Sequence, residues 1–154
     1  MEALAITKVT LDDADAHALI LRLNTELRAM YPEEGANHFR LDPDEVAPGR
    51  GAFLIARDGA AARGCGAVRL LEPGLAELKR MYVVPEARGR GIAAAVITAL
   101  EDEARSLGAR RVVLETGTRQ LAAQRLYGRA GYVGIERYGE YATSPLSLCM
   151  AKSL

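Results

Sequence analysis

The chain has 154 residues, of which 49% are apolar and 26% charged, with 20 Lys plus Arg balanced by 20 Asp plus Glu. That length suits one domain, residues 1–154, able to bury a core unaided, and the even charge gives no ground for a nucleic-acid or membrane partner. Two isolated cysteines, Cys65 and Cys149, without CxxC spacing and two scattered histidines argue against a metal centre or disulfide scaffold.

The apolar runs are too short to cross a bilayer, and the opening MEALAITKVT carries no secretory or organelle pattern, so a cytoplasmic setting is expected. Residues 5–10 alternate weakly and read as a first strand, with Asp12 as N-cap and Asp15 in the first turn of a helix. Leu19, Leu23 and Leu27 recur at helical spacing beside Ile20 and Met30, and the stripe runs out at Tyr31-Pro32. His17 falls inside this helix and is expected to be partly packed. Residues 32–50 are polar and rich in Pro and Gly, which predicts a long functional loop with room for a short helix.

Residues 52–57, Asp58-Gly59 and the small-residue run to Leu71 predict a hairpin, and Glu72-Pro73-Gly74 turns the chain into a third strand over 75–84. A helix over 91–107 stopped by Gly108, a β-branched strand over 112–115 and a helix over 120–130 closed by Gly131 come next. Strands over 132–138 and 146–151 finish the chain. Hairpins followed by one strand–helix–strand crossover predict a mixed α/β (α+β) fold: a mainly antiparallel twisted sheet flanked by helices, with parallel pairing confined to the strands joined by helix 91–107.

The segment PEARGRGIAAA, residues 85–95, gathers two glycines and two arginines just before a helix. Exposed N–H groups and the helix dipole make such a place suited to an anion. Gly89, Gly91 and Ala94 match GxGxxA, and Glu115 mimics the acid of a dinucleotide fold. Against that reading, Pro85-Glu86-Ala87-Arg88 separates strand from first glycine, and the preceding strands are hairpin-linked. No GKS or GKT follows, which excludes a P-loop.

Arg88 to Ala93 also reads RxxGxA, and here the chain resembles the GNAT family of N-acetyltransferases, whose acyl-CoA signature is Q/RxxGxG/A at this same junction. The resemblance covers essentially the whole chain. It extends to ELKRMYVVP, to RQLAAQRLYGRAGY, similar to the family's NxxAxxLYxxxGF, and more narrowly to the ELKRMYV, LETG and SxxMxK segments of a bacterial subgroup. It implies acetyl-CoA as co-substrate, no metal, and an amine acceptor that is a small molecule, amino acid or peptide; homodimerisation is left open. A CoA-binding or sensing module of the same fold without turnover is the alternative from another class.

The resemblance also implies site residues. Met81, Tyr82 and Val83 would pair with the pantetheine arm, while Arg88, Gly89, Arg90, Gly91, Ile92, Ala93 and Ala94 would cradle the pyrophosphate. Gln120, where the family commonly has asparagine, and Ala123 would flank the cofactor. Glu77 stands at the general-base position, and strand alternation puts it on a face with Lys79, Met81 and Val83. By itself it reads as a solvent-facing glutamate paired with Lys79 or Arg69, exposure being the rule for glutamate. Tyr127 stands where the family has a general acid for the leaving sulfur, although packing with Leu126 explains a tyrosine there too. Neither cysteine has a neighbouring histidine, so direct transfer is expected. Tyr31, Glu33, Glu34, His38, Arg40, Tyr138 and Tyr141 are the acceptor-side candidates, and Glu115-Thr116 a capping or pocket element.

Overall fold

The computed structural model describes residues 4–154. Seven strands form one sheet: β1 (Leu4–Val9), β2 (Gly51–Asp58), β3 (Ala61–Glu72), β4 (Leu75–Val83), β5 (Arg111–Gly117), β6 (Val133–Ile135) and β7 (Ser147–Ser153). Three helices accompany them, α1 (Ala14–Met30), α2 (Ile92–Ser106) and α3 (Leu121–Arg129). The strand order is β1-β2-β3-β4-β5-β7-β6, every pairing antiparallel except β4 with β5. The parallel pair is the one bridged by α2, as expected.

Local chemistry explains most boundaries. Helix α1 is capped by Asp13, one residue later than expected, because the Asp13 carboxylate accepts the N–H groups of Asp15 and Ala16 at 2.9 and 3.1 Å, while Asp12 accepts the Thr10 hydroxyl. His17 is exposed on the outer side of this helix and not partly packed, since Ala16, Leu19 and Leu23 form its buried stripe. Pro73 and Gly74 (φ 85°) make the two-residue turn between β3 and β4, the pairing in which proline sets the first position and glycine supplies the left-handed second. Loop 32–50 holds one 3-10 turn, Pro43–Val46, closed by reciprocal bonds between Asp42 and Glu45. Strand β6 is shorter than expected: Tyr132 instead turns inward to hydrogen-bond Glu101, and Val133 on the sheet edge is 64% exposed.

Strand β2 is buried on both faces, from Gly51 to Ala56, because helices cover both sides of the sheet. On the α2 side, Met81, Val96 and Leu100 close over Gly66, and Ile92 and Val83 close over Gly64. A side chain at Gly66 has no space there. On the α1 side, Arg57 reaches Asp15 at 3.0 Å, and Arg88 links Glu26 of α1 to the Tyr82 ring.

The feature that positions the site is a bulge in β4. Cys65 pairs with Tyr82 and Ala67 with Lys79, so Gly66 alone faces both Arg80 and Met81. Arg80 takes the extra position with φ 56°, the left-handed region that a non-glycine residue seldom occupies. The extra residue reverses the strand's alternation. Glu77 and Lys79 therefore lie on the α1 face and Met81 and Val83 on the α2 face, contrary to the expectation that all four share one face.

Candidate active site

Strands β4 and β5 pair only through Leu75–Leu78 with Arg111–Leu114. Beyond Leu78 they diverge, since β5 stays paired to β7 as far as Gly117 opposite Ser147 while β4 bends away at its bulge. The main chain of Met81, Tyr82 and Val83 thus borders an opening inside the sheet, with the side chains of Met81 and Val83 spent on packing against α2. The opening leads past the 3-10 turn Pro85–Ala87 to the start of α2.

There Gly89 (φ 81°) and Gly91 (φ 78°) are both left-handed, and a Cβ on either would meet nothing within 4 Å. Gly91 caps α2 without a side chain, and the first helical bond runs from the Ala95 N–H to the Gly91 carbonyl at 3.1 Å. The N–H groups of Ile92, Ala93 and Ala94 precede it and have no intrahelical acceptor, which is the geometry of an anion cradle. Ile92 contributes main chain alone, its side chain being buried. Arg88 and Arg90 flank the cradle but are already engaged: Arg88 bonds Glu26 at 2.9 Å and the Val83 carbonyl at 3.0 Å, and Arg90 bonds Asp58 at 2.9 Å. Ala123 is partly buried against the core. Gln120 lines the neighbouring cavity, its side-chain oxygen accepting the Gly117 N–H at 2.9 Å.

Glu77, expected to be reachable on its strand, is 1% exposed. Its two oxygens accept from Arg69 Nε (2.9 Å) and from the Tyr138 hydroxyl, and Arg69 extends to Glu45 in the Pro43–Val46 turn. The ion pair with Arg69 forms, whereas Lys79 bonds the Arg40 carbonyl at 2.7 Å. Tyr138 packs edge-on against Tyr141, which packs edge-on against His38. The late loop and loop 32–50 therefore meet over Glu77.

Beside this cluster a small cavity of about 30 Å³, open to solvent, is lined by Leu27, Tyr31, His38, Phe39, Arg80 and Glu115, among others. Tyr31 accepts the Arg119 N–H at 2.9 Å and lies under the Arg119 guanidinium, which pairs with Glu33 at 2.6 Å. That bond holds the Glu33 carboxyl below the usual range. Among the acceptor candidates, Tyr31 and His38 line the cavity, and Tyr138 and Tyr141 stand beside it. Glu33 and Glu34 are exposed at the surface. Arg40 also points away, its guanidinium 81% exposed on Asp42, because its carbonyl is what Lys79 anchors.

Glu115 is the carboxylate on the cavity wall. Burial pushes its pKa up to about 7, against the Ser147 hydroxyl bond at 2.6 Å and Arg80, which favour the charged form. Since the folded protein keeps this proton between about pH 4.5 and 7 while the unfolded chain releases it, stability should fall with rising pH across that window, by on the order of 3 kcal/mol. Glu115→Gln is expected to raise the melting temperature at pH 8 and to leave it nearly unchanged at pH 4; equal shifts at both pH values would show that the carboxyl is not held protonated. The cysteines are poor nucleophiles here: burial pushes Cys65 up to about 12 and raises Cys149 as well. No group of three or more His, Cys, Asp or Glu suited to a metal occurs among the described residues, nor is any helix there long and apolar enough to cross a membrane.

A strand edge opened by a bulge, running into an uncapped helix start beside a polar cavity, defines an acyl-CoA-dependent transferase architecture, and the comparisons agree. The Acetyltransferase (GNAT) family model matches residues 10–132. A curated relative, an IAA acetyltransferase of Azospirillum brasilense, is 40% identical over 137 residues, 88% of each chain. A solved structure from Klebsiella pneumoniae, assigned as an acyl-CoA N-acyltransferase, superposes with TM-score 0.83 at 34% identity, over 98% of this chain and 97% of that one. A GNAT acetyltransferase of Elizabethkingia anophelis with acetyl-CoA bound gives TM-score 0.71 at 15% identity with complete coverage of both, a likeness of fold. The chain belongs to the GNAT family of acetyltransferases.

Arg80, Phe39 and Asn37 also line the cavity and Arg119 lies over the Tyr31 ring, positions that neither the motifs nor the family resemblance pointed to. No local signal sets Arg80 apart, because Lys79 beside it carries the same charge.

Proposed function

We propose that the protein transfers an acetyl group from acetyl-CoA directly to a primary amine. The observation that carries this reading is the continuity of the Met81–Val83 edge, which has no partner strand on the β5 side, with the glycine cradle at Gly89–Ala94. When bound, acetyl-CoA supplies an activated thioester carbonyl. The edge offers main-chain donors and acceptors to an extended chain in the manner of an added strand, and the N–H groups of Ile92, Ala93 and Ala94 meet phosphate oxygens without side-chain obstruction. Glu77 takes the ammonium proton, through water or through Tyr138, whose hydroxyl already donates to it. Tyr127 is buried, which raises its pKa and keeps the hydroxyl protonated until the departing sulfur needs it. Following free thiol across an amine panel with acetyl-CoA tests the reading. Thiol release with none of them, alongside CoA binding, would favour the sensing module.

The cradle has its own test. Gly91→Val is expected to weaken acetyl-CoA binding about tenfold or more, and by more than Arg90→Ala, as measured by calorimetry. Valine both fills the open space and is strained at φ 78°, whereas Arg90 already has Asp58 and adds one partly screened contact. Wild-type affinity in the folded Gly91→Val protein would rule the turn out.

A further inference from the structure

We propose that the acceptor is an amino-carboxylate, its carboxylate held by Arg80 and its amine facing Glu115 across the cavity between α1, loop 36–39 and β5; this rests on the acetyltransfer reading above. Arg80 is a half-buried cation that no carboxylate contacts directly, Glu115 acting on it only from farther off. No carboxylate among the described residues lies within 4 Å of its guanidinium, its Nη1 donates to the neutral Asn24 amide, and its Nε is buried with no partner at all. Burial also lowers its pKa. A charge without a direct ion-pair partner and an orphaned buried donor are both costly unless something anionic arrives.

The side chain is held ready for that. The bulge places Arg80 at φ 56° on the cavity wall, the Asn24 bond fixes one end of the fork, and the Phe39 ring lies 4.9 Å from its Cζ. A guanidinium so fixed is suited to a planar carboxylate. Glu115, which also lines the cavity, supplies the complementary partner for an ammonium, its Ser147 bond orienting one oxygen. One cation and one anion facing a small cavity match a zwitterion; a simple cationic amine would leave Arg80 unpaired. The rest of the acceptor would extend toward His38 and the open side of the cavity.

The test pairs each of the twenty standard amino acids with its carboxamide as acceptor for the full-length protein with acetyl-CoA. For the preferred acceptor, kcat/KM is expected to exceed that of its amide roughly 10- to 100-fold, the range of a buried charge-assisted contact, mostly through KM. Arg80→Gln should erase this gap by lowering use of the acid alone, and Arg80→Lys should restore part of it; should neither variant fold, the acid–amide comparison in wild type stands by itself. Calorimetric titration of the same pairs onto the CoA-loaded protein reads the site without turnover. Acid-selective binding without thiol release would keep the carboxylate site and defeat the acetyltransfer reading. Acetylation of acids and amides at equal efficiency, or an equal loss on both in Arg80→Gln, would overturn the proposal and leave the transferase intact.

Discussion

Glu77→Gln is expected to lower turnover about 10²–10⁴-fold at neutral pH with acetyl-CoA affinity little changed. Glutamine keeps the shape and can still accept from Arg69, so the sheet survives while the proton acceptor is lost. The defect should shrink as pH rises, because an amine that deprotonates in solution no longer needs the carboxylate. Tyr127→Phe removes only a hydroxyl whose pKa burial raises, and its loss, belonging to departure of the thiolate, should persist in alkali. Kinetics of both variants from neutral to alkaline pH on one good acceptor separate the roles. Full activity of Glu77→Gln at neutral pH, with acetyl transfer rate-limiting, would pass the base role to Glu115, the carboxylate that lines the cavity.

Arg69→Ala should cost about 3 kcal/mol of stability, the low end for breaking a buried ion pair because the arginine side is 23% exposed. Arg69 stands between Glu45 and Glu77, and its removal leaves Glu77 sealed in the fold with Tyr138 as its remaining donor. Against a total of about 5–15 kcal/mol, that is a substantial fraction. Adding Glu77→Gln to Arg69→Ala should recover much of the loss, since the neutral amide has less need of a cation. Urea unfolding of the two single variants and the double variant checks this, and a single-variant change under about 1 kcal/mol would show that the pair contributes little.

The hairpin turns, the crossover and the glycine cradle were legible in the sequence because each depends on local residue chemistry: Asp58-Gly59, Pro73-Gly74, and Gly89 and Gly91 before a capless helix. The family resemblance added Glu77 and Tyr127. The bulge was not legible. Nothing in LKRMYV marks which residue leaves the pleat, since the usual glycine is replaced by Arg80, and a period of two carried past that point puts Met81 and Val83 on the wrong face. For the same reason Arg80 read as one more strand residue. Arg40 misled differently: its charge suggested substrate contact, whereas the fold uses its carbonyl, a group every residue has. Likewise Asp12 and Asp13 are chemically equal caps, and only the path of the chain from β1 selects between them.

The early divergence of β4 from β5 leaves the sheet as two leaflets, β1–β4 and β5–β7–β6, hinged on a ladder of four paired positions from Leu75↔Arg111 to Leu78↔Leu114. Glu101 of α2 acts as a clasp behind the hinge, its carboxylate gripping Tyr132 and Lys152 of the second leaflet. An extended molecule laid into the gap supplies the rungs that the chain itself omits. Occupancy then changes the mechanics of the whole molecule: with the gap filled, the two leaflets move as one plate, and amide hydrogen exchange along Arg80–Val83 slows together with that of the facing strand.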